Sequence, residues 1–413
     1  MLWFTNTPSL ASAKFSARSY GGGWIESLES MLKKDTAIEL GIGFFSNSPV
    51  SAFSEENVSY FPICNAASRV KQWYFRAVGS YPIGEDVESM LEIIRQFKPD
   101  IIHIHGTEFH FGLIYKYVRI PIVISIQGNI SACIEKYFGS IPAFEYLKLL
   151  RLKDLYSFYN PIFSYRNFRK KSPNELEILE NAKYIIGRTA WDNCIASVLA
   201  QKAEYFHVSE ILRHPFYKAR WEKSRLKSIV LTTTLSDAPY KGIELILKAT
   251  ILLKKRGIDF IWNIVGVNES STVVKAALRH LDFEPSPSIV FHGQKNVDDL
   301  ISVLLDSDVY VQVSHIENSA NSLCEAMLLG MPCIASDTGG TSSIIEQNIS
   351  GILFNSGDSM LLTKAIIHLR NNYELGVEMG ARAREIAGLR HDPLLVIADT
   401  KKVYNHILEN DRH

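Results

Sequence analysis

Two successive runs of alternating strand-like and helix-like segments, separated by one polar stretch, constrain what this chain can become. In the first half, apolar runs read as strands near 2–7, 37–45, 101–105, 120–126 and 184–187, with helices such as 86–97 and 191–200 between them. The polar stretch 217–225 then breaks the pattern. Afterwards strands recur near 229–234, 260–267, 289–291, 309–313 and 333–336, with helices near 242–254, 273–280, 297–305 and 360–370. Alternation of this kind implies an α/β protein with parallel sheets covered by helices on both faces. The 413 residues exceed one ordinary core, so two doubly wound domains are expected, at 1–220 and 221–391. They are expected to face each other across a cleft, because open α/β sheets bind ligands outside the carboxyl ends of their strands. A last apolar-periodic segment, 392–413, forms a tail helix.

Within the second half, one polar loop stands out: His315-Ile316-Glu317-Asn318-Ser319-Ala320-Asn321-Ser322-Leu323-Cys324-Glu325. It follows an apolar strand and opens an apolar helix that ends at Gly330. Backbone amides at a helix start lack intrahelical partners and favour anions. Two carboxylates flanking such a pocket suit a ligand that carries phosphate and sugar hydroxyls. Ser322-Leu323-Cys324-Glu325 also fits a capping box, in which Glu325 only caps its own helix. Glu317 has no capping geometry, and a carboxylate at the end of a buried strand is unfavourable unless something binds it.

The run continues Ala326-Met327-Leu328-Leu329-Gly330-Met331-Pro332 and reaches Gly339-Gly340. Two glutamates with seven residues between them, then Ala-Met-x-x-Gly-x-Pro and a Gly-Gly loop, resemble the nucleotide-sugar site of the family-4 retaining glycosyltransferases of bacterial surface-polysaccharide type. The resemblance implies the GT-B fold, with two Rossmann-like domains: an N-terminal acceptor domain and a C-terminal nucleotide-sugar domain. It also implies that the tail helix returns to pack on the first domain. The activity it implies is transfer of a sugar from a nucleotide diphosphate-sugar to a hydroxyl acceptor, with retention, the acceptor being a growing, lipid-linked polysaccharide. By resemblance, Glu317 faces the donor sugar or its leaving oxygen, and Glu325 holds the ribose hydroxyls. Backbone amides around Ser319, Asn321, Ser322 and Leu323 hold the diphosphate.

Lys241 precedes a long amphipathic helix, in Ala238-Pro239-Tyr240-Lys241-Gly242. A lysine at the positive end of a helix dipole is unfavourable alone and favourable beside a diphosphate. It also reads as an ordinary exposed turn residue. In the family the matching lysine contacts the donor diphosphate. The family's usual arginine just before it is missing, since the region reads Thr232-Thr233-Thr234-Leu235. Thr234 and the backbone, Arg188 or Arg213 are the candidates to replace it.

Gly21-Gly22-Gly23-Trp24 permits close backbone approach to a ligand, and Gly22 and Gly23 are assigned to donor phosphate by position in the family. The same glycines also read as a plain turn. Gln127 ends a strand where family members often carry histidine; it orients or polarises, since it takes up no proton at neutral pH. His103 and His105 share one strand face, His103 as a core histidine and His105 bordering the cleft.

No metal site is expected: the five cysteines are scattered, and no Asp-x-Asp motif appears. No cofactor is expected beyond the donor. Net charge is zero, so nucleic acid is not an expected partner. The segment 146–171 mixes Lys148, Arg151, Lys153, Arg166, Arg169, Lys170 and Lys171 with aromatic residues, which fits a peripheral contact with anionic lipid or a solvated helical insertion. With no leader-like start and no spanning apolar run, a cytoplasmic location is expected, peripheral at the inner membrane face if that segment meets lipid. Two other functions fit the same architecture: a nucleotide-sugar epimerase and a catalytically silent sugar-nucleotide-binding subunit.

Overall fold

The computed structural model describes residues 1–15, 23–46, 49–64, 82–152, 154, 158, 160–222 and 228–411. The chain divides into two compact units. The first comprises 1–131, 166–211 and 391–413; the second comprises 132–165 and 212–390. Residues 132–165, assigned from sequence to the first half, thus group with the second unit.

The first unit holds an eight-stranded sheet. Its strands are β1 (Leu2–Thr5), β2 (Leu40–Phe45), β3 (Phe53–Glu55), β4 (Val58–Ile63), β5 (Ile102–His105), β6 (Ile122–Ser125), β7 (Tyr184–Gly187) and β8 (Glu204–His207). They lie in the order β3-β4-β2-β1-β5-β6-β7-β8, all parallel except the β3–β4 pair. Strands buried on both faces read as near-continuous apolar runs, which is why β1 and β7 were legible. Helices accompany the sheet, and side chains set the start of one of them. Thr189 and Asp192 close a reciprocal capping box on Ala190–Leu199.

The tail helix Pro393–Asn410 belongs to this unit. Asp392 caps it by accepting from the Leu394 and Leu395 amides, and proline occupies its first position. Val396, Val403, Tyr404 and Ile407 enter one core with Trp3, Ile25 and Ile42. His103 ties helix to sheet: its ring nitrogens meet Tyr404 OH and Ser125 Oγ, each at 2.6 Å.

The second unit holds a six-stranded parallel sheet of β9 (Ile229–Thr234), β10 (Phe260–Val265), β11 (Ile289–Gly293), β12 (Val309–Gln312), β13 (Cys333–Asp337) and β14 (Ile352–Asn355). The order is β11-β10-β9-β12-β13-β14, so strands are added outward in opposite directions from the β9–β12 pair, the point where the strand order switches. Trp262, Leu231, Val311 and Ile334 form its core with Leu245 and Leu253 of the helix Ile243–Lys255. Burying one such side chain fully stabilises the fold by about 1.5–3 kcal/mol.

Candidate functional site

The loops leaving β9, β12 and β13 are fastened to one another. After β9 the chain makes a short turn, Pro239–Lys241, and enters the helix Ile243–Lys255 through Gly242. Gly242 has φ +78°, and a Cβ there would lie 2.2 Å from the Val313 carbonyl oxygen, so only glycine fits. The His315 amide donates to the Tyr240 carbonyl at 2.8 Å. From the β13 side, Ser336 Oγ donates to the Ser314 carbonyl (2.6 Å) and Thr338 Oγ1 to the His315 carbonyl (2.7 Å). The Gly340 amide donates to the Glu317 carbonyl at 3.1 Å. Gly339 has φ +52°, with the Glu317 carbonyl oxygen 1.8 Å from where a Cβ would stand. The Gly-Gly motif therefore fixes the backbone of Glu317.

This fastening brings Lys241 onto Glu317, with Nζ 2.5 Å from Oε1. Ser314 Oγ donates to the same oxygen at 2.7 Å. The two side chains are 23% and 14% exposed, which leaves both within reach of a ligand.

The helix Asn321–Leu329 starts beside them. Its N-cap is Ala320, with no side-chain cap, so Ser322 lies inside the first turn and the capping-box reading of Ser322 and Glu325 does not hold. The Leu323 and Cys324 amides donate to the Ala320 carbonyl at 2.9 and 3.0 Å, so the Leu323 amide is engaged within the helix start. Asn321 Oδ1 is buried without a hydrogen-bond partner. Ser319 is partly exposed in the preceding loop. Ser322 Oγ accepts from the Tyr310 hydroxyl at 2.9 Å, and Thr234 Oγ1 lies 2.7 Å from the same hydroxyl. Burial pushes the Tyr310 phenol up, so it keeps its proton. Thr232 and Thr233 are fully buried and bond to Ser307 and to the Val311 carbonyl.

Glu325 reaches Arg213. Nε and Nη2 of Arg213 each donate to one carboxylate oxygen at 2.6 Å, a two-pronged ion pair. Burial raises the Glu325 carboxyl above its ordinary value, against the pull of Arg213. Arg213 thus joins Glu325, while the contact made by Lys241 is with Glu317.

Behind the Lys241 turn, Glu244 is fully buried. It accepts from His315 Nε2 at 2.6 Å and from Ser140 Oγ at 2.9 Å. Burial alone would raise its carboxyl, but the bonds from His315 and Ser140 outweigh that and hold it below the ordinary value. The sequence reading missed Ser314, Tyr310 and the Glu244–His315–Ser140 group. Ser314 three residues before Glu317 was the one visible signal.

The remaining candidates lie in the first unit. Gly23 opens the helix Gly23–Leu32, and Gly22 lies outside the described residues. Gln127 follows β6, with Nε2 buried and without a partner. The Arg188 guanidinium lies 4.2 Å from the Trp24 ring centre and 3.8 Å from Glu210, so its charge is met within this unit. His105 is fully buried against Trp3 and Trp24, and burial holds it well below the ordinary histidine value.

Of the basic and aromatic residues in 146–171, several are turned into packing. Tyr165 meets Tyr137 and Phe138, Lys148 pairs with Glu145, and Lys171 lies over Phe109. Lys153 lies outside the described residues. No helix among the described residues is long and apolar enough to cross a membrane.

Residues 220–386 match the family described as Glycosyl transferases group 1. The amylovoran biosynthesis glycosyltransferase AmsK of Erwinia amylovora is 28% identical over 152 residues, 35% of this chain and 37% of that protein. The first curated relatives are matched over 37% to 56% of their own length. Among solved structures, sucrose-phosphate synthase of Thermosynechococcus elongatus superposes with a TM-score of 0.73 at 14% identity, over 99% of each chain. The Anabaena protein HepE, solved with UDP-glucose, gives 0.66 at 14% identity over 97% of this chain and 98% of that one. Lys241, Glu317 and Glu325 all lie inside the span that matches the glycosyl transferases group 1 family, on a chain with the GT-B fold.

Proposed function

We propose that this protein transfers a sugar from a nucleoside diphosphate-sugar to a hydroxyl of a growing, lipid-linked polysaccharide, with retention of anomeric configuration. The observation that supports this most is the Lys241–Glu317 pair beside the start of the helix Asn321–Leu329, at the carboxyl ends of adjacent strands. Open α/β sheets bind ligands at that edge. A second support is that HepE was solved with UDP-glucose, and AmsK is named for polysaccharide biosynthesis.

In this reading the bond from the sugar C1 to the diphosphate oxygen breaks, and its electron pair stays on the diphosphate. The acceptor oxygen bonds to C1 as its hydroxyl proton is released. Charge accumulates on the departing diphosphate, and stabilising it is the main catalytic task. Lys241 supplies the cation. Helix-start amides near Ser319, Asn321 and Ser322 supply dipoles. Lys241 rests on Glu317 in this structure, so a bound diphosphate draws the ammonium away and leaves Glu317 facing the sugar. Glu325 accepts from the ribose hydroxyls.

Incubation with UDP- and GDP-sugars and a polysaccharide acceptor tests this, with product linkage read by NMR. Release of nucleoside diphosphate together with an α-linked product from an α-linked donor is the expected result. A new epimer formed from donor alone, or donor binding without turnover on any acceptor, overturns it in favour of an epimerase or a silent binder.

A further inference from the structure

We infer that Arg213 is a positioning residue that holds the Glu325 carboxylate in one orientation, ready to accept hydrogen bonds from the ribose of a nucleoside diphosphate. This rests on the assignment of Glu325 to the ribose made above.

Glu325 is 3% exposed on the helix Asn321–Leu329, among Leu323, Cys324, Ala326 and Met327, all fully buried. A carboxylate in such surroundings tends toward its protonated form, which is a poorer acceptor. Arg213 acts against that in two ways. Its charge favours the ionised form, and its planar fork fixes the plane of the carboxylate, with both bonds at 2.6 Å. An ionised carboxylate has about four lone-pair sites, of which the fork occupies two. One further site on each oxygen remains, which is the number two neighbouring hydroxyls need.

Arg213 is itself held in place. Its neighbours Leu212 and Phe216 are 1% and 0% exposed, and its guanidinium lies 5.0 Å from the centre of the Phe216 ring. Its side chain is 30% exposed, so the pair sits at the edge of the core. A lysine in this place would supply charge without a fork.

The test uses the whole protein and calorimetric titration with uridine diphosphate and its 2′,3′-dideoxy analogue, and with the guanosine pair in parallel, from pH 5.5 to 8.5. Wild type is expected to favour the ribonucleotide by about tenfold or more, the factor one charged hydrogen bond supplies. In Arg213→Gln that preference falls toward unity at neutral pH and returns as pH rises, because the unpaired carboxyl ionises later. Arg213→Lys keeps the wild-type pH profile and loses part of the preference. Circular dichroism verifies that both variants are folded, and Arg213→Lys carries the test if Arg213→Gln is not. An unchanged preference and pH profile in Arg213→Gln, or an unchanged preference in Arg213→Lys, overturns the inference while leaving Glu325 on the ribose. A wild type that binds nucleotide without favouring ribose removes the Glu325 assignment itself, and the role of Arg213 with it.

Discussion

Lys241 and Glu317 are 76 residues apart in the chain and 2.5 Å apart in space. The contact follows from strand order. β9 and β12 are neighbours in the sheet, so the loops that leave them run side by side. The Tyr240–His315 backbone bond fastens those loops together. A cation and an acid are thus held at the edge where a diphosphate is expected.

Removing either side chain should reduce sugar transfer by at least ~100-fold, the loss expected when a contact to developing charge disappears. Lys241→Ala and Glu317→Ala are to be assayed on protein whose circular dichroism matches wild type. Near-normal rates in both would end the assignment. Lys241→Ala should also weaken nucleoside diphosphate binding, whereas Glu317→Ala should leave it intact or strengthen it, since the ammonium no longer has a competing partner.

Gly339→Ala tests the scaffold without touching a charged group. A Cβ at this position collides with the Glu317 carbonyl, and φ +52° disfavours any L side chain by about 1–2 kcal/mol. Transfer should fall markedly while most of the fold survives, because the displaced atom belongs to Glu317. Gly84→Ala is the control: that glycine has open space around its Cβ position and should tolerate alanine with full activity. Equal activity in the two variants would mean that the backbone of Glu317 need not be held.

The alternation of strands and helices was visible in the sequence because buried strands have few choices: β1 and β12 are apolar except for their last residue. β4 was missed. It contains Pro62, which sequence reasoning takes as evidence against a strand, yet it pairs with β2 along its length. β8 and β14 were also missed: β8 is exposed at both ends and β14 at its last residue, so neither reads as a fully buried strand. At the site, Lys241, Glu317 and Glu325 could be singled out as residue types in unusual places. How they pair could not be read, since Arg213 is 112 residues from Glu325 and only the folded chain brings them together. Ser140 on Glu244 is a similar case, 104 residues distant.

Glu244 gives a stability prediction with a definite sign. Its folded carboxyl lies below the ordinary value, so its contribution is present above the unfolded carboxylate pKa and is lost as pH falls through the folded one. Glu244→Gln should therefore lower the melting temperature at pH 7, and the gap from wild type should close in acid. Breaking a buried pair of this kind costs about 3 kcal/mol. A gap that widens in acid would show that the carboxylate is not the stabilising form.

His103 gives the complementary case in the first unit. Burial pushes it down to about 3, so the folded protein keeps a neutral imidazole between Tyr404 and Ser125. Protons favour the unfolded chain below its histidine pKa near 6.5, so stability declines as pH falls from there toward 3. His103→Phe removes that titration along with both hydrogen bonds, leaving the Tyr404 and Ser125 hydroxyls unpaired at about 1–3 kcal/mol each. The variant should be less stable than wild type at pH 8, with a shallower decline between pH 6.5 and 4. Hydrogen exchange should locate the loss in the tail helix Pro393–Asn410, because Tyr404 is the residue that His103 holds. Faster exchange spread evenly over the first unit, with the tail helix no more affected than β2, would mean that His103 does not fasten that helix.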